Sequence, residues 1–248
     1  MQPLGYLFRQ IEQKPILVRM KKLLLLMLIA PMFVSCNISR KQQSVSETTS
    51  IRHTRPFDRI VLNGAFDVKF TQGDTFSVKV VGSEKQVKKV ETQFSGTTLT
   101  VSNSGENFEW HLRRGNWMPT LYITSPDLVA LTLNGAGDVE MQNDIDTDTL
   151  SVYLKGVGDI NFKRVVCDEF YCTLNGTGDI DVQELTALHS FIELRGTGDV
   201  GVKFQNSGMA NCVLHGTGDI DLSGTLNSLQ KAVHGTGDIE TGDLQLKQ

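Results

Sequence analysis

Residues 174–182 read "LNGTGDIDV", and nearly the same phrase returns as "LNGAGDVEM" (133–141), "LKGVGDINF" (154–162), "LRGTGDVGV" (194–202), "LHGTGDIDL" (214–222) and "VHGTGDIET" (233–241). The second glycine of each copy falls at Gly137, Gly158, Gly178, Gly198, Gly218 and Gly237, in steps of 21, 20, 20, 20 and 19 residues. Self-similarity at such a period marks a solenoid, in which each repeat is one structural unit stacked on the last. Within the phrase, Cys172, Leu174, Ile180 and Val182 share one parity, and Thr173, Asn175, Thr177, Asp179 and Asp181 share the other. A strand sends successive side chains to opposite faces, so the apolar set points inward. The glycines interrupt the strand for a tight bend, because glycine accepts positive φ without strain.

Each unit of about 20 residues is then strand, glycine corner, strand and a less regular return such as "QELTALHSF" (183–191). Stacked in parallel, such units bury a continuous column of Leu, Ile and Val that one unit could not bury alone. The expected fold is all-β: a single-stranded parallel β-helix, or β-solenoid, about 25–30 Å long for six turns at strand spacing. Its coils are assigned to 127–248. The preceding 57–126 is expected to be a hairpin-rich capping region. There "FDRIVLNGAFDVKFTQGDTFSVKVVG" (57–82) alternates around a "QGD" turn and predicts a hairpin. Its "LNGAFDVKF" is a degenerate copy of the repeat, with Phe66 in a glycine position. Residues 83–90 predict one or two helical turns, and "ETQFSGTTLTVS" (91–102) a second hairpin.

The 248-residue chain carries a net charge of −4, unevenly spread. From Gly135 onward 7 Lys and Arg stand against 18 Asp and Glu, a balance of −11, whereas 36–134 has a balance of +3. A nucleic-acid partner calls for basic residues on the ordered surface, and the array is acidic, so nucleic acid is excluded as its partner.

At the N-terminus, "MKKLLLLMLIAPMFVSC" (20–36) joins a Lys-Lys start to twelve apolar residues, Leu23 to Val34. That run is too short to span a bilayer and suits a signal peptide, so 1–35 is assigned as a signal region, with 1–19 an over-extended start. The final "FVSC" resembles a bacterial lipobox; Ser35 fits, while Phe33 stands where Leu is usual. Cys36 is therefore the expected lipidation site, and polar, aperiodic 36–56 carries the lipidated Cys and a flexible tether. Of the remaining cysteines, Cys172 and Cys212 occupy the repeat position filled by Ile192 in the copy between them. They read as core residues two coils apart, too far to bridge.

The lipobox and tether, the opening "FDRIVLNG" (57–64), "SPDLVALTLNGAGDV" (125–139) and the serial "GTGDI" copies together resemble the putative auto-transporter adhesin family, head GIN domain, over 57–248. The resemblance implies a β-helical envelope protein of Gram-negative bacteria, a lipoprotein of the outer membrane, and it brings no catalytic residues. Which side of that membrane the solenoid faces does not follow from it. The partners expected are the membrane, through the anchor, and a glycan or another envelope component.

Three sets of side chains are candidates for function. Asp138, Asp159, Asp179, Asp199, Asp219 and Asp238 form a ladder at strand spacing, where neighbouring charges repel by about 0.9 kcal/mol in water. One reading has each carboxylate accept backbone N–H groups in its own corner, as an Asx-type turn. The other is a row of bound Ca²⁺, which takes hard oxygen ligands, although the leading Gly-Gly pair of calcium-binding nonapeptides is missing. The structural turn is the expectation, with no cofactor and no metal site. Second, the outward column containing Arg195, His215 and His234 is chemically mixed. It is either solvated surface or a saccharide-contacting strip. Third, "NFEWHLRRGNWMP" (107–119) sets Trp110, Arg113, Arg114 and Trp117 on a glycine-containing insertion, suited either to stacking on sugars or to capping the solenoid. Polysaccharide-degrading enzymes also use β-helices, but a catalytic site breaks a repeat with a unique constellation, and here the carboxylates recur coil after coil. No catalytic residue is assigned.

Overall fold

The computed structural model describes residues 47–103 and 118–247. All of them belong to one compact unit of the chain, Val45–Gln248. The repeats build a parallel β-solenoid of about six turns. Its elements are β1 (Glu47–Ile51), β2 (Arg59–Asn63), β3 (Asp67–Gln72), β4 (Ser77–Ser83), α1 (Glu84–Lys89), β5 (Val90–Ser95), β6 (Thr98–Asn103), β7 (Thr120–Ser125), β8 (Ala130–Leu133) and β9 (Val139–Met141). There follow β10 (Ile145–Asp146), β11 (Thr149–Leu154), β12 (Ile160–Phe162), β13 (Val165–Leu174), β14 (Ile180–Leu194), β15 (Val200–Leu214), β16 (Ile220–Val233), β17 (Ile239–Glu240) and β18 (Leu244–Leu246).

Register follows the repeat. Leu154, Leu174, Leu194 and Leu214 pair in one column, and Val152, Cys172, Ile192 and Cys212 in the next. Every one of these side chains is at most 1% exposed. Burial is worth about 1.5–3 kcal/mol for each such aliphatic side chain. The thiols of Cys172 and Cys212 sit in this apolar interior, and burial pushes both up to about 12.

The corners carry the ladder through the bend. Asn175 and Thr177 donate their amides to Leu154 and Gly156 of the coil before, while Gly178 and Ile180 donate to Thr197 and Asp199 of the coil after. The two glycines of a corner have different reasons to be glycine. Gly178 has φ +128°, where a β-carbon is strained. Gly176 lies outside that region, but a β-carbon there would fall on the carbonyl oxygen of Gly156. Positive φ accounts for one glycine and the approach of adjacent coils for the other.

The capping region departs from expectation. β2 and β3 are a coil of the solenoid itself. β2 pairs in parallel with β6 on one side and β8 on the other, and β3 likewise with β7 and β9. The corner column accordingly begins at Ala65, which bridges Ala136. Phe66, in a glycine position, turns into the core at 1% exposure. The order of coils in space is thus not their order in the chain: β6 and β7 lie outside β2 and β3, which lie beneath β8 and β9. The hairpin predicted around "QGD" does not form a ladder of its own. β7 lies between β3 and β4, parallel to the first and antiparallel to the second. Strand parity reports which face is buried and is silent about which strand is the neighbour.

The other two expectations for this region hold. β5 and β6 form an antiparallel hairpin. Helix α1 starts with a capping box, Ser83 accepting from the amide of Gln86 and Gln86 Oε1 accepting from that of Ser83. Its last turn is closed by Arg52, whose guanidinium donates to the carbonyls of Val87 (2.7 Å) and Val90 (3.0 Å). β1, β4 and β5 add antiparallel edges around it, so this end of the solenoid finishes in non-repeating structure.

Candidate binding face

The aspartate ladder bonds between coils, and this corrects the expectation of a turn closed within each corner. Asp159, Asp179, Asp199, Asp219 and Asp238 each donate their amide to the carboxylate of the preceding coil's aspartate, at 3.1, 3.0, 2.8, 2.8 and 2.8 Å. Asp138 does so more loosely to Asp67, at 3.5 Å, which extends the ladder into the first coil. Each corner turns one amide, that of its aspartate, out of the backbone ladder, and the neighbouring carboxylate takes it. The charge-assisted bonds offset the repulsion along the column. Among the described residues no three His, Cys, Asp or Glu side chains converge on a point that could hold a metal ion.

The mixed column runs beside the glycine corners. Asn175, Arg195, His215 and His234 form one wall of an open groove of about 650 Å³, Thr197, Thr217 and Thr236 form the other, and glycine backbone lies between. The glycines recur at every coil, so the floor continues along the stack. Arg195 is anchored by its Nε, 2.7 Å from Glu193 Oε1, and the same oxygen lies 3.9 Å from His215 Nε2. The His215 and His234 rings stack at 5.0 Å between centroids, 21° from parallel.

Sequence reading missed the aromatic part of the same face. Tyr171 and Phe191, paired across β13 and β14, stack at 5.1 Å with planes 6° apart, yet remain 38% and 43% exposed. Glu169 ties Tyr171 to the neighbouring coil: Oε2 accepts from the Tyr171 hydroxyl (3.2 Å), and Oε1 lies 2.8 Å from His189 Nδ1. Tyr153, 40% exposed, lies one coil earlier with the Lys155 ammonium 5.2 Å from its ring centroid. The 20-residue step from Tyr171 to Phe191 was the available signal, since it sets both on one column. Cys36, Trp110, Arg113, Arg114 and Trp117 lie outside the described residues. No helix among the described residues is long and apolar enough to cross a membrane.

Comparison with known proteins agrees with this architecture. The profile of the family described as "Putative auto-transporter adhesin, head GIN domain" matches residues 56–200. No curated protein matches the chain. Among solved structures, a "putative adhesin" of Bacteroides fragilis NCTC 9343 is 21% identical with a TM-score of 0.65, over 79% of this chain and 97% of that one. A "putative adhesin" of Parabacteroides merdae ATCC 43184 is 14% identical with a TM-score of 0.59, over 79% and 97%. A "putative lipid binding protein" of Parabacteroides distasonis ATCC 8503 is 14% identical with a TM-score of 0.60, over 83% and 98%. At these identities the likeness is one of fold.

Proposed function

The chain belongs to the putative auto-transporter adhesin family, head GIN domain, and from that premise we propose that it is a lipid-anchored module of the cell envelope whose solenoid binds a glycan. The observation that carries the reading is the open groove over the glycine corners. Its walls present hydroxyl, amide, guanidinium and imidazole groups, and its floor is glycine backbone. A shallow polar trough suits the hydroxyl-rich, weakly apolar surface of a sugar chain, whereas small apolar ligands take enclosed pockets. The stacked, half-exposed rings of Tyr171 and Phe191 add apolar surface on the same face, suited to the C–H faces of a pyranose.

Lipid attachment at Cys36 and placement at the outer membrane complete the proposal, and support for them comes from the lipobox-like "FVSC" after a signal-like apolar run. A glycan array probed with the full chain, paired with protease treatment of intact cells, tests the reading. Binding to saccharides, lost when Arg195 and His215 are both replaced by alanine, is the expected result. Absence of binding to any arrayed glycan would overturn the glycan assignment. The protease arm reports which side of the membrane the solenoid faces.

A further inference from the structure

We infer that the saccharide held by this groove carries a carboxylate, and that Arg195 is the residue that selects it; the inference rests on the glycan reading above. From Gly135 onward the chain has a balance of −11. Yet none of the side chains that wall the groove is acidic, and three of them, Arg195, His215 and His234, are basic. Within the acidic array this trough is where an anionic group on a sugar meets donors and positive charge, with Glu193 beside Arg195 and the aspartate column beyond the threonines.

Arg195 is oriented for that task. Its Nε is ion-paired with Glu193 Oε1 at 2.7 Å, while its two terminal nitrogens have no partner among the described residues. A guanidinium paired at one edge and open at the fork matches the two oxygens of a carboxylate. The hydroxyls of Thr197 and Thr217 across the floor are also without partners among the described residues and are free to bond sugar hydroxyls. Glu193 already offsets part of the Arg195 charge, and the array around the groove is acidic, so the site accommodates a single negative charge better than a phosphate dianion; the anion assigned is a uronate-type carboxylate.

The test uses the full chain in detergent and isothermal titration with three acidic probes: an oligogalacturonate, an oligoalginate and a hyaluronan tetrasaccharide. Each is compared with its carboxyl-reduced form, which has the same linkages and no charge. At least one acidic probe is expected to bind about ten-fold or more tightly than its reduced counterpart. Arg195→Gln removes that preference, and Arg195→Lys restores only part of it, because an ammonium lacks the fork. Arg195 is exposed, so a melting curve of each variant confirms that the fold is retained. Equal affinity for the acidic and reduced forms overturns the carboxylate assignment while leaving the glycan reading standing. Failure of all six probes, with neutral glycans retained on the array, overturns the assignment in the same way; failure on the array as well overturns both. Displacement of the acidic probe by inorganic phosphate at equal concentration also overturns the assignment.

Discussion

Asp179 donates its backbone amide to the carboxylate of Asp159, one coil earlier, at 3.0 Å, and its own carboxylate accepts the amide of Asp199 at 2.8 Å. Every internal member of the column is thus donor to one coil and acceptor for the next. The aspartate of the repeated phrase is a clip between neighbours. That explains its presence in every copy without a ligand: each bend frees one amide, and the residue that supplies the amide also supplies the acceptor for the following bend.

Replacement of this acceptor separates the structural role from cation binding. Asp179→Ala orphans the amide of Asp199 and is expected to cost about 1 kcal/mol. Asp179→Asn/Asp199→Asn keeps an oxygen acceptor at each position and relieves repulsion, so its melting temperature is expected near that of the wild type. Thermal unfolding in millimolar calcium and in chelator completes the comparison. A calcium-dependent rise in the wild type that vanishes in the double asparagine variant would show bound cations instead.

The two corner glycines give a second prediction. Gly178→Val combines an unfavourable φ with a contact on the carbonyl of Gly158, and is expected to cost on the order of 3 kcal/mol. Gly176→Ala is expected to destabilise through contact alone. Thr177→Val points to solvent and is expected to stay within about 0.5 kcal/mol of wild type. Denaturant midpoints of the three variants check the order; similar shifts for Gly178→Val and Thr177→Val would refute the corner assignment.

Lys231 occupies the inward column that Cys172, Ile192 and Cys212 fill in the coils beneath, and its ammonium donates to the carbonyl of Ile239 at 3.1 Å. A charge in this column at the exposed end of the stack blunts an edge that would otherwise accept another strand. Lys231→Ile is expected to make the protein associate at lower concentration than the wild type. Sedimentation velocity across a dilution series measures this, and identical profiles would count against an edge-protecting role.

The buried thiols set a pH dependence. Cys172 and Cys212 are held up to about 12 by burial, whereas a thiol of the unfolded chain ionises near 8.5. Between those values the unfolded chain binds fewer protons than the folded one. The stabilisation from keeping these thiols neutral is therefore complete below about 8.5 and is lost as pH rises toward 12. Urea midpoints at pH 8.5 and 10.5 are expected to fall less in Cys172→Val/Cys212→Val than in the wild type. Parallel profiles would contradict the burial.

Anchoring is tested at one atom. Cys36→Ser removes the thiol that a lipid would modify, and the variant is expected in the soluble fraction. A variant that still partitions with membranes, or a wild type that takes up no labelled fatty acid, would remove the lipoprotein assignment.

Much of this protein is legible in its residue order because a solenoid repeats one local problem. The 20-residue period sets the stack, parity separates Leu174 from Asn175, and the same arithmetic makes Cys172 and Cys212 core residues two coils apart. The column from Arg195 to His234 also follows, since equal spacing becomes adjacency when coils stack in register. What the pattern leaves open is which coil meets which. β2 and β3 stack between β6 and β7 on one side and β8 and β9 on the other, and β7 comes between β3 and β4, because backbone pairing is satisfied equally well by any strand of the right length and face. The partner of each aspartate is undetermined for the same reason: a carboxylate reaches an amide in its own turn or in the next coil, and the spacing of the stacked corners selects the second. The groove belongs wholly to three dimensions, since its two walls and its glycine floor come from different positions of successive coils and exist only once those coils are 20 residues and one strand spacing apart.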